Sequence, residues 1–254
     1  MTEEVSNANV LMPVGTGTIL NDDGGTQNTR TTVNVQPATI AEGDSGTKVM
    51  EFPISLNQTS TVPITINVAT KDGSAKIGVD YLSPANTHTI PAGRMNDTLV
   101  VPVLGDLTHE PTETFSVKLS AVPGSDIVFN SRKFIGTIND NDPVPTIIVT
   151  SLVSVNENQG TGLFQISLSN PTSERASVNF EFASGTAETP GDFRGRRGKV
   201  KFDPGQLIDS LGPAIVNDNL PEATETFTIL LTDSRGAVLN TSGLVGTMRI
   251  IDDD

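Results

Sequence analysis

The chain of 254 residues has no cysteine and no tryptophan, and it contains one tyrosine and two histidines. Without cysteine it cannot form a disulfide, a thiolate metal site or a cysteine nucleophile. His88 and His109 are the only imidazoles, and they do not occupy matching positions in the repeat described below. A zinc centre or a histidine-based catalytic centre copied in each half is therefore not expected. Both histidines are interpreted as surface residues of turns or strands.

Basic residues and long apolar runs are also scarce. Sixteen lysines and arginines stand against 30 acidic residues, which gives a formal net charge of −14. Such a chain is repelled by phosphate backbones and anionic surfaces, so nucleic acid is not an expected partner. No run is long enough for a membrane span, and the first ten residues, MTEEVSNANV, lack the basic start and apolar core of a signal peptide. The chain is thus not expected to be inserted in a membrane.

The sequence contains an internal repeat, in which one block of residues occurs twice. Phe52 recurs as Phe164 and Asp80 recurs as Asp192, each 112 residues later. A hydrophobic core needs only its apolar pattern to recur, so acids that recur at the same offset indicate two copies of one acidic site. Two units of roughly 110 residues also agree with the usual size of domains.

Within each unit, apolar and polar residues alternate in short runs. Examples are residues 50–56, 62–68 and 115–119, with 164–168 and 227–231 in the second copy. A period of two is typical of strands with one face on a core, and the runs are separated by clusters of Gly, Pro, Asn, Asp and Ser, which form turns. The pattern predicts an all-β chain of two tandem immunoglobulin-like antiparallel β-sandwiches with about seven strands each.

The predicted domains are residues 28–142 and 143–254, preceded by a short N-terminal segment. GTGTILNDD at 15–23 resembles FIGTINDND at 134–142, so residues 1–27 are interpreted as the tail strand of a preceding repeat plus a linker. A disordered leader is the alternative. The prolines of NDNDPVPTI at 139–147 favour a stiff connection, and neighbouring repeats of the same chain are therefore the expected partners.

Five motifs follow one another in the same order in both units. They read AEGDSG, DGSAKIGVDY, PAG, GDLTHEPTETF and TINDND in the first, and NENQG, SGTAETPGDF, DPG, NDNLPEATETF and IIDDD in the second. With these motifs each unit resembles a Calx-beta repeat, a module known from sodium/calcium exchangers, an integrin beta subunit and very long bacterial surface proteins. The resemblance covers residues 31–254 almost without a gap, and it implies a sandwich that binds Ca²⁺ at one tip.

The resemblance also implies which acids bind the metal. In the first unit the expected ligands are Glu42, Asp80, Asp106, Glu110, Glu113, Asp140 and Asp142. In the second unit they are Glu157, Asp192, Asp218, Glu222, Glu225, Asp252, Asp253 and Asp254. Calcium prefers six to eight oxygen ligands, which carboxylates and loop carbonyls supply. The alternative is a solvated acidic face.

One departure from the family pattern reduces the expected site. Exchanger-type repeats tend to carry paired acids where this chain has Gly105-Asp106 and Asn217-Asp218. Fewer charges mean weaker binding or fewer ions, and we expect about one to three ions per unit.

The run FRGRRGKVKF is the main basic feature of this acidic chain. Its cations are Arg194, Arg196, Arg197, Lys199 and Lys201, and the first unit has no such run. It could meet an acidic protein or an anionic surface polysaccharide. An ordinary strand with one wet face is the alternative.

Two hypotheses for function remain. The first is a calcium-stiffened structural or adhesion array of a larger cell-surface or secreted protein, with an extracellular location. The second is a regulatory calcium-sensor pair of a membrane transporter or signalling protein. An enzyme is not expected, because paired carboxylates can hydrolyse glycosides only beside a substrate cleft, and a chain with a single tyrosine and no tryptophan has few residues to line one.

Overall fold

The computed structural model describes residues 30–254, and the predicted tail strand in residues 1–27 lies outside them. The described part contains 18 strands, one short 3₁₀ turn at Glu157–Gln159, and no α-helix. Within it, no helix is long and apolar enough to span a membrane.

The first sandwich has nine strands in two sheets. One sheet has the order β6-β3-β1-β8 and the other the order β2-β9-β7-β4-β5. The strands are β1 (Thr31–Val35), β2 (Ala38–Ala41), β3 (Thr47–Leu56), β4 (Ile64–Asp72), β5 (Thr87–Ile90), β6 (Asn96–Leu104), β7 (Glu113–Ala121), β8 (Ile127–Phe129) and β9 (Lys133–Asn139).

The second sandwich repeats this plan. Its sheets have the orders β15-β12-β10-β17 and β11-β18-β16-β13-β14. The strands are β10 (Thr146–Val149), β11 (Leu152–Asn156), β12 (Phe164–Leu168), β13 (Ala176–Ser184), β14 (Arg197–Phe202), β15 (Ile208–Leu211), β16 (Glu225–Arg235), β17 (Val238–Leu239) and β18 (Val245–Ile251).

The predicted fold of two tandem β-sandwiches is confirmed, with nine strands per unit where about seven were expected. The difference arises partly because the first strand of each unit divides between the two sheets. Gln36 and Pro37 separate β1 from β2, and proline cannot donate to a ladder. β2 then pairs in parallel with β9, whereas most other pairs are antiparallel.

Each sandwich has its own core between its two sheets. The alternating residues predicted from the sequence point inward, as the fully buried Phe52 and Phe164 do. Tyr81 stacks on Phe115 with ring centroids 4.2 Å apart, and in the second unit Phe193 stacks on Phe227 at 4.1 Å. Burial of each such ring stabilises the fold by about 1.5–3 kcal/mol.

The loop that follows β4 is held against the start of β7 by a glycine that the repeat retains. A Cβ at Gly73 would overlap the carbonyl oxygen of Thr114, so only glycine permits this approach. Ala75 is fully buried, and its amide donates to the same carbonyl oxygen at 3.1 Å. This packing brings Asp80, on the far side of the loop, to the end of the sandwich at which β7 begins.

Candidate metal centre

The first acidic trio of the first unit consists of Glu42, Asp140 and Asp142, whose carboxylates each place an oxygen within 4.8 Å of the others. Glu42 follows β2, and the two aspartates follow β9. Because β2 and β9 are parallel neighbours, their carboxyl ends lie at the same edge of the sheet. Glu42 is 3% exposed and Asp142 is 7% exposed, so this trio is largely removed from water.

A second trio lies in the same unit and consists of Asp80, Glu110 and Glu113, again within 4.8 Å. Glu113 begins β7, and the loop held by Gly73 brings Asp80 to it. The Asp80 carboxylate accepts a hydrogen bond from the Lys76 amide at 2.5 Å. That bond fixes one oxygen of the carboxylate within its own turn.

The two trios act on each other electrostatically. Burial raises the pKa of Glu42 to about 8, with further contributions from Glu110 and three aspartates, Asp106, Asp140 and Asp142. Burial likewise raises the pKa of Glu110 to about 7, with Asp80, Asp106 and Asp140 adding to the effect. Burial and the neighbouring Asp80 raise the pKa of Glu113 to about 7. The two trios and Asp106 therefore lie close enough to interact as one acidic cluster.

Several carboxylate oxygens in these loops are buried without a hydrogen-bond partner. They are Oε1 of Glu42, Oδ2 of Asp142 and, in the second unit, Oδ1 of Asp252. A buried acceptor without a partner costs about 1–3 kcal/mol, and more when it is charged. A bound cation would offset this cost, and a donor set made of carboxylate oxygens suits a hard cation such as Ca²⁺. The residues present thus fit the metal that the resemblance implies.

The second unit contains one trio, formed by Asp192, Glu222 and Glu225 within 4.8 Å. Burial and the adjacent Asp192 raise the pKa of Glu225 to about 7. Glu157 is 5% exposed, and burial raises the pKa of this residue as well. Among residues 30–254, the second-unit counterparts of Glu42, Asp140 and Asp142 do not form such a trio.

Asp253 has a different environment from its acidic neighbours. Its two carboxylate oxygens accept hydrogen bonds from the backbone amide and the side-chain amide of Asn158, at 3.1 and 2.6 Å. Asn141 stands at the same position of the first unit, where its side chain accepts from Gly43 and donates to Asp44. In both units, the residue at this position connects the end of the last strand to the loop that carries the first glutamate. These contacts favour a positioning role for Asp253 over the predicted ligand role.

Asp106 and Asp218 shape the loops in which they lie. Asp106 accepts from the Thr108 amide at 2.6 Å, and Asp218 accepts from the Leu220 amide at 2.8 Å. Asp218 also donates its own amide to the Glu157 carboxylate at 3.1 Å. Asp254 is exposed. Partial desolvation by its surroundings, together with the charges of Asp253 and Asp252, raises the pKa of its carboxyl. Which of the predicted ligands bind the ion stays a prediction.

His109 is a site residue that the sequence did not reveal. Its Nδ1 lies 2.7 Å from the Asp140 carboxylate and 3.1 Å from the carbonyl oxygen of Asp142. The second unit has Pro221 at this position. A comparison of the two copies could have marked His109 as specific to the first unit, but it could not have shown what the ring contacts.

A family model for the Calx-beta domain matches residues 26–142 and again residues 139–254. The chain belongs to the Calx-beta family. Domains of this family bind Ca²⁺ and serve as binding and regulatory modules rather than as catalytic ones. The matched ranges fall near the predicted boundaries, which themselves stay a prediction.

Two curated relatives and two solved structures illustrate the similarity. The sodium/calcium exchanger Calx of Drosophila melanogaster is 30% identical over 114 residues, 45% of this chain and 12% of the exchanger. The adhesion G-protein coupled receptor V1 of Danio rerio is 29% identical over 150 residues, 56% of this chain and 2% of the receptor. The chain therefore spans a small part of either relative.

Among solved structures, the apo-form Calx CBD1 domain is 29% identical, with a TM-score of 0.42, and covers 44% of this chain and 100% of its own. The two-domain CBD12 of CALX1.2 is 16% identical, with a TM-score of 0.40, and covers 87% of this chain and 100% of its own. The expected extracellular or cell-surface location is contradicted by these matches. The finding against it is the similarity to the sodium/calcium exchanger Calx.

Proposed function

We propose that this chain is a regulatory calcium-sensor pair within a larger membrane transporter or signalling protein. The observation that carries the proposal is the contact between the first acidic site and the second sandwich. The tandem Calx-beta arrangement shared with exchanger domains supports it as well. In this proposal Ca²⁺ binds the acids of each tip, and the chain itself performs no catalysis.

The contact lies at the joint, which we define as residues 108–110, 139–143 and 170–173. The His109 amide donates to the Pro171 carbonyl oxygen at 2.9 Å, and the Ser173 amide donates to the His109 carbonyl oxygen at 3.1 Å. The side-chain amide of Asn170 donates to the Pro143 carbonyl oxygen at 2.9 Å. The loop that carries Glu110 is thus bonded to the second unit through its backbone.

The same loop reaches the acidic site through side chains. The His109 ring contacts Asp140, and Ser173 of the second unit forms a hydrogen bond with the Glu110 carboxylate. Without a cation the clustered acids repel one another, by about 4 kcal/mol for a pair 4 Å apart at an effective dielectric constant of 20. Calcium would remove this repulsion and order the loop, which links occupancy of the site to the angle between the units.

A structural or adhesion array would use the same joint as a stiffener. The similarity to the sodium/calcium exchanger Calx supports the sensor instead. Calcium affinity separates the two, because sensors bind with dissociation constants of about 10⁻⁷–10⁻⁵ M and extracellular modules with about 10⁻⁴–10⁻³ M.

The test combines calorimetry with small-angle X-ray scattering of the two-unit chain. We expect a dissociation constant below about 10⁻⁵ M and a scattering curve that changes with Ca²⁺ over the same concentration range. The variant His109→Pro carries the second unit's residue, and the lost amide hydrogen should weaken the scattering change. His88→Ala is the control, because His88 contacts Asp97 on the side of the first sandwich. Binding with identical scattering in both states would contradict the sensor proposal.

A further inference from the structure

The basic run lies on β14, an edge strand of the second sandwich. Arg197, Lys199 and Lys201 are exposed, whereas Val200 and Phe202 are buried. Among residues 30–254, β14 ends the order of its sheet and pairs only with β13. Its other side therefore presents unpaired backbone N–H and C=O groups beside a row of cations.

The equivalent strand of the first unit shows that the fold does not require this charge. Thr87 and Thr89 of β5 stand where β14 has Lys199 and Lys201, at the offset of 112 residues. The threonines and the lysines have similar cross-strand neighbours. Thr89 lies opposite Thr65, and Lys201 lies opposite Ser177. The lysines are thus additions to a scaffold that forms without them.

In the first unit a side-chain contact connects the two sheets beside β5, and the second unit lacks this contact. His88 Nε2 on β5 lies 3.1 Å from the Asp97 carboxylate on β6, which joins the two sheets. The second unit retains the acid as Asp209 but has Val200 in place of the histidine. Valine cannot form a hydrogen bond through its side chain, so the equivalent contact between β14 and β15 is missing.

Two hollows flank β14. A groove of about 840 Å³ on the outer face of the sheet is lined by four cations, Arg175, Lys199, Lys201 and Arg235, and by two acids, Glu174 and Asp203. Arg175 pairs with Asp203 at 3.4 Å, but within residues 30–254 the other three cations form no ion pair. The second hollow, of about 410 Å³, lies along the open side. Val200, Leu211 and Phe180 line it together with Asp209 and four cations of the basic run.

We propose that β14 is a docking edge for an extended acidic segment of a partner protein, which adds to the sheet as a further strand. Main-chain hydrogen bonds to the open side of β14 would supply affinity, as in other cases of strand addition. Side chains of an added strand alternate between faces. Acidic residues would face Lys199 and Lys201, and the intervening apolar residues would cover the hollow beside Val200.

Other occupants match these features less well. A second copy of β14 would bring lysines against lysines, which is how edge strands avoid pairing with themselves. An anionic membrane could attract the cations but would leave the open backbone of β14 unused. The proposed docking does not involve the acidic sites, so its success or failure is independent of the sensor proposal.

The probe is a fluorescein-labelled, acetylated peptide of eight residues in which glutamate and valine alternate, and binding is followed by anisotropy. Lys199→Thr combined with Lys201→Thr introduces the first unit's residues, and binding should weaken about tenfold. Lys118→Thr combined with Lys133→Thr is the matched control. It changes the net charge equally at exposed positions of the first unit and should bind as the unmodified chain does.

A second peptide separates strand addition from simple charge attraction. It has the same side chains, but alternate backbone nitrogens are methylated so that they cannot donate to β14, and we expect no binding. Equal binding of the methylated peptide would overturn the proposal, as would equal weakening by the control variant. Absence of peptide binding, with or without binding to phosphatidylserine vesicles, would also overturn it.

Discussion

Replacement of Glu42 by Gln should stabilise the calcium-free protein while removing calcium binding at the first acidic trio. Glu42 is 3% exposed, its Oε1 has no partner, and its pKa is about 8 instead of 4.5. Each tenfold change in acidity corresponds to about 1.36 kcal/mol, so ionisation of this residue costs the folded state several kcal/mol at most. Because water screens part of the repulsion at this edge of the sandwich, we expect a gain of about 1–2 kcal/mol.

The assay is urea denaturation at pH 7.5, once with a chelator and once with millimolar calcium. In chelator the transition of the first unit should move to higher urea for Glu42→Gln, and calcium should move it little further. The matched control is Glu51→Gln on the exposed face of β3, where we expect a change below about 0.5 kcal/mol. A less stable Glu42→Gln protein in chelator, or an unchanged response to calcium, would refute the reasoning.

Three further predictions follow from the same geometry. Lowering the pH from 8 to 5 in chelator should raise the melting temperature, because the pKa values of Glu42, Glu110, Glu113 and Glu225 are raised in the folded state. The stability that these groups contribute is complete below the unfolded pKa of 4.5 and is lost as the pH rises through 7 to 8. A calcium titration repeated at pH 6 should show weaker binding, since protons compete for the same oxygens. Asp253→Asn, which places the first unit's residue at this position, should leave calcium affinity within about threefold, whereas Asp252→Asn should lower it about tenfold or more in calorimetry; equal losses would assign Asp253 to the ligands. Asn217→Asp restores an acid pair with Asp218 and should strengthen calcium binding by the second unit while it lowers the chelator-state melting temperature.

Much of the fold could be predicted because the alternation of apolar and polar residues and the internal repeat can both be read directly from the sequence. The inward positions of residues 50–56 follow from period two alone, and the recurring acids indicate a shared tip. The division of the first strand is harder to foresee, because Pro37 shows only that pairing is interrupted. The transfer of β2 to the other sheet depends on its parallel pairing with β9, almost 100 residues away.

The candidate site was predicted as one group of acids per unit, without its internal arrangement. Asp253 and Asp254 are adjacent in sequence and both are exposed, yet Asp253 accepts two hydrogen bonds from Asn158. The role of His109 depends on contacts with Asp140 and with the second unit. Such contacts follow from how two loops and two domains meet, which no spacing within the sequence encodes.

The most direct measurement is the thermal melt of the two-unit chain with calcium and with chelator. If the acidic tips bind Ca²⁺, stability should rise by about 2.7 kcal/mol at a calcium concentration 100 times the dissociation constant. This calcium-induced stabilisation should be absent from the unfolding transition of the first unit in Glu42→Gln and should persist in Glu51→Gln. An unchanged melt of the unmodified chain at millimolar calcium would contradict calcium binding at these acids.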